Sequence, residues 1–216
     1  MVTFNVVNRV FRILHNGKTA SSYTIEKGEC QYLVSASHVF EGCESVTELE
    51  IFHDDKWKKI PVAVVFNSLD VADTIVFKLE NDLSPRFEIE HGVGGVIYGS
   101  WAYFLGFPLG MKGPGSELTD NYPVPFIKAG LVSCIYKKGE GLNVIYLDGH
   151  NNKGFSGGPA VWVNPTKPTI MQIIGTVSHY ITEPPISTET KESISMYGTN
   201  AGLVEVFSIN DIFQHI

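Results

Sequence analysis

The 216-residue sequence predicts an all-β protein, a barrel or sandwich rather than a helical or α/β fold. Three observations carry the prediction. Apolar runs of strand length recur along the whole chain, Gly, Pro, Asn and Asp punctuate them, and helical periodicity is almost absent.

Taken in order, "RVFRIL" runs into a tight turn at Asn16-Gly17, "SSYTIE" into one at Lys27-Gly28, and "CQYLVSA" follows, the pattern of consecutive hairpins. "VTELEIF", "KIPVAVVF" and "DTIVFKL" come next. After a connecting segment from Glu80 to Val93, poor in strand formers, the series resumes with "WAYFLGF", "PFIKAGLVSCIYK", "NVIYLD", "PAVWV", "IMQIIGTVSHYI" and "GLVEVF". Two places read as helical: one short turn after Ser37, and "SINDIFQHI" at the end, where Ser208 as N-cap and Asp211 three residues on suggest a capping box. The stretches "GMKGPGSELTDNYP" and "TEPPISTETKESISMYGTN" are long enough to be functional loops.

Composition fits a well-packed globule, with 44% hydrophobic and 18% charged residues. A net charge of -7 and a pI near 5.5 speak against a nucleic-acid or acidic-membrane partner, either of which requires a basic face. The N-terminus has no basic stretch leading into a long apolar run, and no segment reaches about 18 apolar residues. A cytoplasmic location is therefore expected, although a leader removed beforehand leaves the same sequence. Three cysteines, Cys30, Cys43 and Cys134, fit a reducing compartment better than a disulfide framework, with a Cys30–Cys43 bridge as the alternative. Cys134, in "LVSCIYK", reads as a buried small hydrophobe. No His, Cys and carboxylate group has metal-ligand spacing, and no cofactor is expected.

One segment does not read as scaffold. In "YLDGHNNKGFSGGPAV", Gly149, Gly154, Gly157 and Gly158 surround Ser156 between two strand-like runs. Glycine is favoured where φ must be positive or another group must approach the backbone closely, so Ser156 is expected on an unusually shaped turn. A serine hydroxyl becomes nucleophilic only when a base removes its proton and a third group orients that base. Most of the 7 histidines are bland in context. His38 differs: it ends the apolar strand of "YLVSASHVF", where a side chain is offered to a cleft. For the acid, Asp73 directly precedes "TIVFKL", with Asp70 three residues back as its rival. Alone, "GFSGGP" could be a Gly-rich hairpin connection and His38 a satisfied structural histidine.

Together, "VSASHVF", "DTIVFKL" and "GFSGGP", in the order His, Asp, Ser, resemble the three signatures of the chymotrypsin-like serine peptidases, closest in flavour to bacterial trypsin-like and HtrA-type peptidase domains. The resemblance covers nearly the whole chain. It implies two six-stranded antiparallel β-barrels of the trypsin-like fold with a short C-terminal helix: residues 1–82 forming the barrel that carries His and Asp, residues 83–216 the linker and the barrel that carries Ser. It makes Ser156 the nucleophile, His38 the general base and Asp73 its orienter, with the N–H groups of Gly154 and Ser156 as the oxyanion hole. Ser178, in "IIGTVSHY", matches the family's serine that bonds the triad Asp, and residues 178–180 the edge along which a substrate lies as an added strand.

The departures are informative. Phe155 stands where secreted relatives carry the Asp that pairs with a new N-terminal amine, so zymogen activation of that kind is not expected. The substrate pocket maps to His150 through Lys153 and Val177 through Tyr180. His150 at its base, with His179 and Tyr180 along its wall, does not support a preference for Arg or Lys and suggests an acidic, polar or small side chain instead. The "TEPPISTETKESISMYGTN" loop maps near the pocket rim and is a candidate lid. The expected activity is peptide-bond hydrolysis by a serine endopeptidase acting on polypeptides. The alternative is a catalytically latent peptide-binding module, or an effector activated by a protein partner, on the same fold.

Overall fold

The computed structural model describes residues 2–41, 45–114, 122–139, 141–190, 193, 198–214 and 216. A one-turn helix, α1 (Phe4–Val7), leads into β1 (Val10–His15), β2 (Lys18–Lys27), β3 (Cys30–Ala36), β4 (Glu48–His53), β5 (Lys56–Ser68) and β6 (Thr74–Leu79). These six strands close into a barrel in the order β1-β2-β3-β6-β5-β4. The chain then crosses to β7 (Glu90–His91), β8 (Trp101–Gly106), β9 (Phe126–Lys138), β10 (Leu142–Asp148), β11 (Pro159–Val163), β12 (Met171–Glu183) and β13 (Thr199–Phe207), and ends in α2 (Ile209–Phe213). Every pairing in both sheets is antiparallel except one: two residues of β7 lie parallel to β12. The second sheet runs β11-β8-β9-β10-β13-β12-β7, and an additional pairing of β11 with β12 joins its ends into a ring to which β7 is appended.

The apolar residues sort into three buried clusters. Phe11, Ile13, Leu33, Leu49, Ile75 and Phe77 fill the first barrel, and Phe104, Val132, Ile145, Trp162, Ile174 and Val206 fill the second. The third cluster is the seam between them, where Val10, Tyr23, Ile25 and Val34 of the first barrel meet Leu105, Phe107, Val144, Ile173 and Phe213. Strands β2 and β3 are buried on both faces because one face looks into the barrel and the other into this seam. Polar bonds cross the seam as well: the Tyr23 hydroxyl and Thr176 Oγ1 lie 2.9 Å apart, and Lys27 Nζ donates to Phe213 O at 2.7 Å. The crossing segment is pinned from below, since Gln31 Oε1 accepts the N–H groups of Leu83 and Ser84 at 2.7 and 3.2 Å.

The second barrel keeps the six strands expected, β8 to β13, and gains a seventh at its margin, because Glu90 and His91, in a segment read as connection, find an open stretch of the β12 edge. Two expectations are corrected. Cys134 is exposed: the second half of β9 forms a hairpin arm with β10, and little packs over its outer face. Ser208 does occupy the N-cap position of α2, but its side chain makes no capping bond, and Asp211 instead accepts from the N–H and side-chain amide of Asn143 at 2.7 and 2.8 Å. Cys30 is a half-buried free thiol, while Cys43 lies outside the described residues.

Candidate active site

His38 and Asp73 meet because of strand register. Ala36 at the end of β3 pairs with Thr74 at the start of β6, so the residues just beyond them leave the barrel at the same rim. His38 sits in a 3-10 turn, Ser37–Phe40, and Asp73 in the tight turn before β6. The imidazole Nδ1 lies 2.7 Å from Asp73 Oδ2, and the backbone N–H of His38 donates to Oδ1 at 2.9 Å. The Ser178 hydroxyl donates to Oδ2 from the other barrel. Asp73 takes a positive φ of 39°, a conformation that costs about 1–3 kcal/mol for a residue with a side chain and is tolerated best by Asn and Asp. Three donors to a charged acceptor, each contributing roughly 1.5–3 kcal/mol, offset that strain. Burial pushes the Asp73 carboxyl up, but bonding to His38, the imidazole's charge and the Ser178 hydroxyl outweigh it, and the group is held below the usual carboxylate range. Asp70 is exposed in the β5–β6 turn and does not contact His38.

Ser156 is delivered from the second barrel, between β10 and β11. Gly154 has φ +104°, and a Cβ there would overlap Phe107 O; Gly157 has φ +84°, and a Cβ there would overlap Ser21 O and Ser35 Oγ. Only glycine fits either position. The turn is held from the first barrel by Ser21: its N–H donates to Ser156 O at 3.0 Å, its hydroxyl donates to Gly154 O at 2.6 Å, and its Oγ accepts the Phe107 N–H at 2.9 Å. With the Gly154 carbonyl tied down in this way, neither the Gly154 nor the Ser156 N–H is hydrogen-bonded among the described residues, and both remain available to an anion. No hydrogen bond joins Ser156 Oγ to the His38 ring among the described residues, a looseness common in unliganded sites.

Phe155 is fully buried and packs edge-to-face on Phe104 with centroids 5.2 Å apart. Above its ring, at 5.6 Å, lies Lys128 Nζ, which also donates to His150 O at 2.7 Å and Asn152 Oδ1 at 2.6 Å. Burial lowers the Lys128 pKa. A half-buried lysine thus braces the loop that precedes Ser156. His150 itself is exposed, whereas its neighbour Asn151 is buried with Oδ1 unpartnered and its carbonyl taken by Asn200 Nδ2 at 2.7 Å.

Along β12, pairing with β11 begins at Thr176, and Val177 exchanges backbone bonds with Gly157 and Gly158 at 2.7 and 2.9 Å. Beyond that point no described strand covers this side of residues 178–183, so an open strand edge runs away from Ser156. Ser178 is fully buried, His179 is exposed on this stretch, and Tyr180 is half-buried. The tip of the candidate lid, residues 191–192 and 194–197, lies outside the described residues.

A family model described as "Trypsin-like peptidase domain" matches residues 20–164, which is more than half of the chain and includes His38, Asp73 and Ser156. The chain belongs to the trypsin-like peptidase domain family. Among curated proteins no relative matches it. In structure, this trypsin-like domain is similar to an HtrA-type protease, AlgW with a tripeptide, at 17% identity and a TM-score of 0.65, covering 99% of this chain and 62% of that one. It is also similar to a serine endoprotease from Yersinia pestis, at 16% identity and TM-score 0.62, covering 99% of this chain and 65% of that one. A third likeness is to an inactive form of Rv3671c from M. tuberculosis H37Rv, at 13% identity and TM-score 0.61, covering 98% and 86%. The chain thus spans less than two thirds of the AlgW and Yersinia structures. At these identities the likenesses establish the two-barrel trypsin-like fold.

Ser21, Lys128 and Glu205 are residues around the candidate site that sequence reasoning missed. The available signals were faint: paired serines inside an apolar strand in "TASSYTIE", a lone Lys in "FIKAGL", and a lone Glu in "GLVEVF".

Proposed function

We propose that this trypsin-like peptidase domain is a serine endopeptidase acting through an acyl-enzyme. The observation that carries the reading is the 2.7 Å pairing of His38 Nδ1 with buried Asp73, at the rim where Ser156 stands on a glycine turn with two N–H groups free. His38, oriented through Nδ1, takes the Ser156 proton at Nε2 as Oγ attacks the scissile carbonyl. The oxyanion forms against the N–H groups of Gly154 and Ser156, where one such donor contributes roughly 3–4 kcal/mol to the barrier reduction. His38 then protonates the leaving amine, and water attacking by the same route frees the acyl group. A polypeptide substrate adds as a strand to the open β12 edge at residues 178–180. Neither residues 150–153 nor 177–180 include an acid, which argues against a basic side chain in the pocket and for a polar or small one.

Reaction with a fluorophosphonate probe, followed by intact-mass measurement, tests the reading. One adduct is expected on the wild type and none on Ser156→Ala or His38→Ala. That no hydrogen bond joins Ser156 Oγ to the His38 ring among the described residues favours a second reading, a domain latent until a substrate or protein partner brings the two together. A folded wild type that takes no probe alone but labels on addition of a peptide ligand would select that reading.

A further inference from the structure

The bulge in β12 positions more than Ser178. Val177 pairs with Val206 and Tyr180 with Val204, so two residues, Ser178 and His179, stand against one, Glu205. An extra residue of this kind re-aims the side chains beside it. Ser178 turns into the seam toward Asp73, and His179 turns toward Glu205. His179 Nδ1 lies 2.6 Å from Ser178 Oγ, and Nε2 lies 3.1 Å from Glu205 Oε2. The other oxygen of Glu205 accepts from the hydroxyl of Tyr146, its cross-strand neighbour, at 2.9 Å. The two histidine–carboxylate pairs are alike in burial, although His38 meets its carboxylate through Nδ1 and His179 through Nε2. Both carboxylate side chains are 9% exposed, and the rings are more open, at 39% for His38 and 56% for His179.

Resting on the serine peptidase reading, we propose that His179 and Glu205 form a second histidine–carboxylate pair that positions Asp73 through Ser178. The argument is a count of hydrogens. Ser178 Oγ carries one hydrogen, is fully buried, and has two short neighbours, Asp73 Oδ2 and His179 Nδ1. With the hydroxyl given to Asp73, His179 must present Nδ1–H to Ser178, and one further proton lies between Nε2 and Glu205. When that proton leaves to solvent from the exposed ring, the hydrogen that remains on His179 is held at Nε2 by the carboxylate. Nδ1 is then a bare acceptor, the Ser178 hydrogen turns toward it, and Asp73 falls from three donors to two. The charged and titratable groups facing the pair are Tyr146 on β10, stacked on Tyr136 of β9, and Asp73 with His38 from the first barrel. Among the described residues no other ionisable side chain is bonded to His179 or Glu205.

The test follows the ring-nitrogen shifts of His38 and His179 by NMR across pH in the histidine-labelled chain, beside the rate of fluorophosphonate labelling over the same range. In the wild type the His38 shifts should move twice, once with its own ring and once at the pH where His179 titrates. The labelling rate should fall about tenfold across that second step, the effect of one hydrogen bond to a charged group. His179→Phe should lose the second step in both readouts and keep the first. Glu205→Gln, close in size, should move the second step to lower pH, because the imidazolium loses its counter-charge. A single His38 step in the wild type, or a second step that survives His179→Phe, overturns the proposal. A wild type that takes no probe yet shows the coupled second step overturns the peptidase reading instead and supports the coupling.

Discussion

The two barrels prepare their halves of the site by different physical means. In the first, side chains do it: a buried carboxylate collects three donors, and the imidazole is oriented by charge and hydrogen bonding. In the second, the backbone does it: Gly154 and Gly157 take conformations closed to other residues, and Ser21 and Lys128 hold the resulting carbonyls. The first half depends on electrostatics and responds to pH; the second depends on the absence of Cβ atoms and responds to sterics. A site split in this way is assembled only when the seam between the barrels forms.

Substitutions can break that contrast. The largest effect is expected from Asp73→Asn, which keeps shape but lets the imidazole adopt the wrong tautomer: kcat should fall by about 10⁴, with folding intact by circular dichroism. Next comes Gly157→Ala, on the backbone side, where a left-handed conformation and overlap with Ser21 and Ser35 together cost about 3 kcal/mol, read as a lower urea midpoint at unchanged m-value. Ser21→Ala frees the Gly154 carbonyl and loosens the oxyanion donors, so labelling should slow by about 10² while the His38–Asp73 pair is untouched. Equal losses from the first and third substitutions would dissolve the distinction between the two halves.

The smallest effect sharpens the electrostatic side. Because the folded carboxyl of Asp73 titrates below the ordinary carboxylate range, its contribution to stability is full above about pH 4 and is lost as pH falls through the lowered folded value. Denaturation curves across acid pH should therefore converge for wild type and Asp73→Asn toward the acid limit. Parallel curves would mean that Asp73 contributes nothing beyond its packing.

Much of the architecture was legible in the sequence because strands announce themselves locally. Each of the twelve runs read as strands overlaps a strand, and turns such as Asn16-Gly17 adopt the positive φ that Asn and Gly permit. The exceptions depend on what packs nearby. Glu90 and His91 pair only because a β12 edge is available, Cys134 is exposed because nothing covers the hairpin arm, and Asp211 prefers Asn143 to its own helix.

The site divides along the same line. Ser156, His38 and the glycines around the turn carry their chemistry in their own identity and spacing, so one-dimensional reading reaches them. The choice of Asp73 over Asp70 needed the β3–β6 register, which sets which carboxylate meets the imidazole. Ser21, Lys128 and Glu205 lie about 135, 28 and 49 positions from Ser156 in the chain yet brace it or its partners. Residue type and local spacing follow from covalent order, and so the sequence alone determined the fold class and singled out the proposed nucleophile and base. Hydrogen-bond partners follow from closure of two barrels against each other, and only the tertiary structure decided which acid, which tethers and which second histidine surround them.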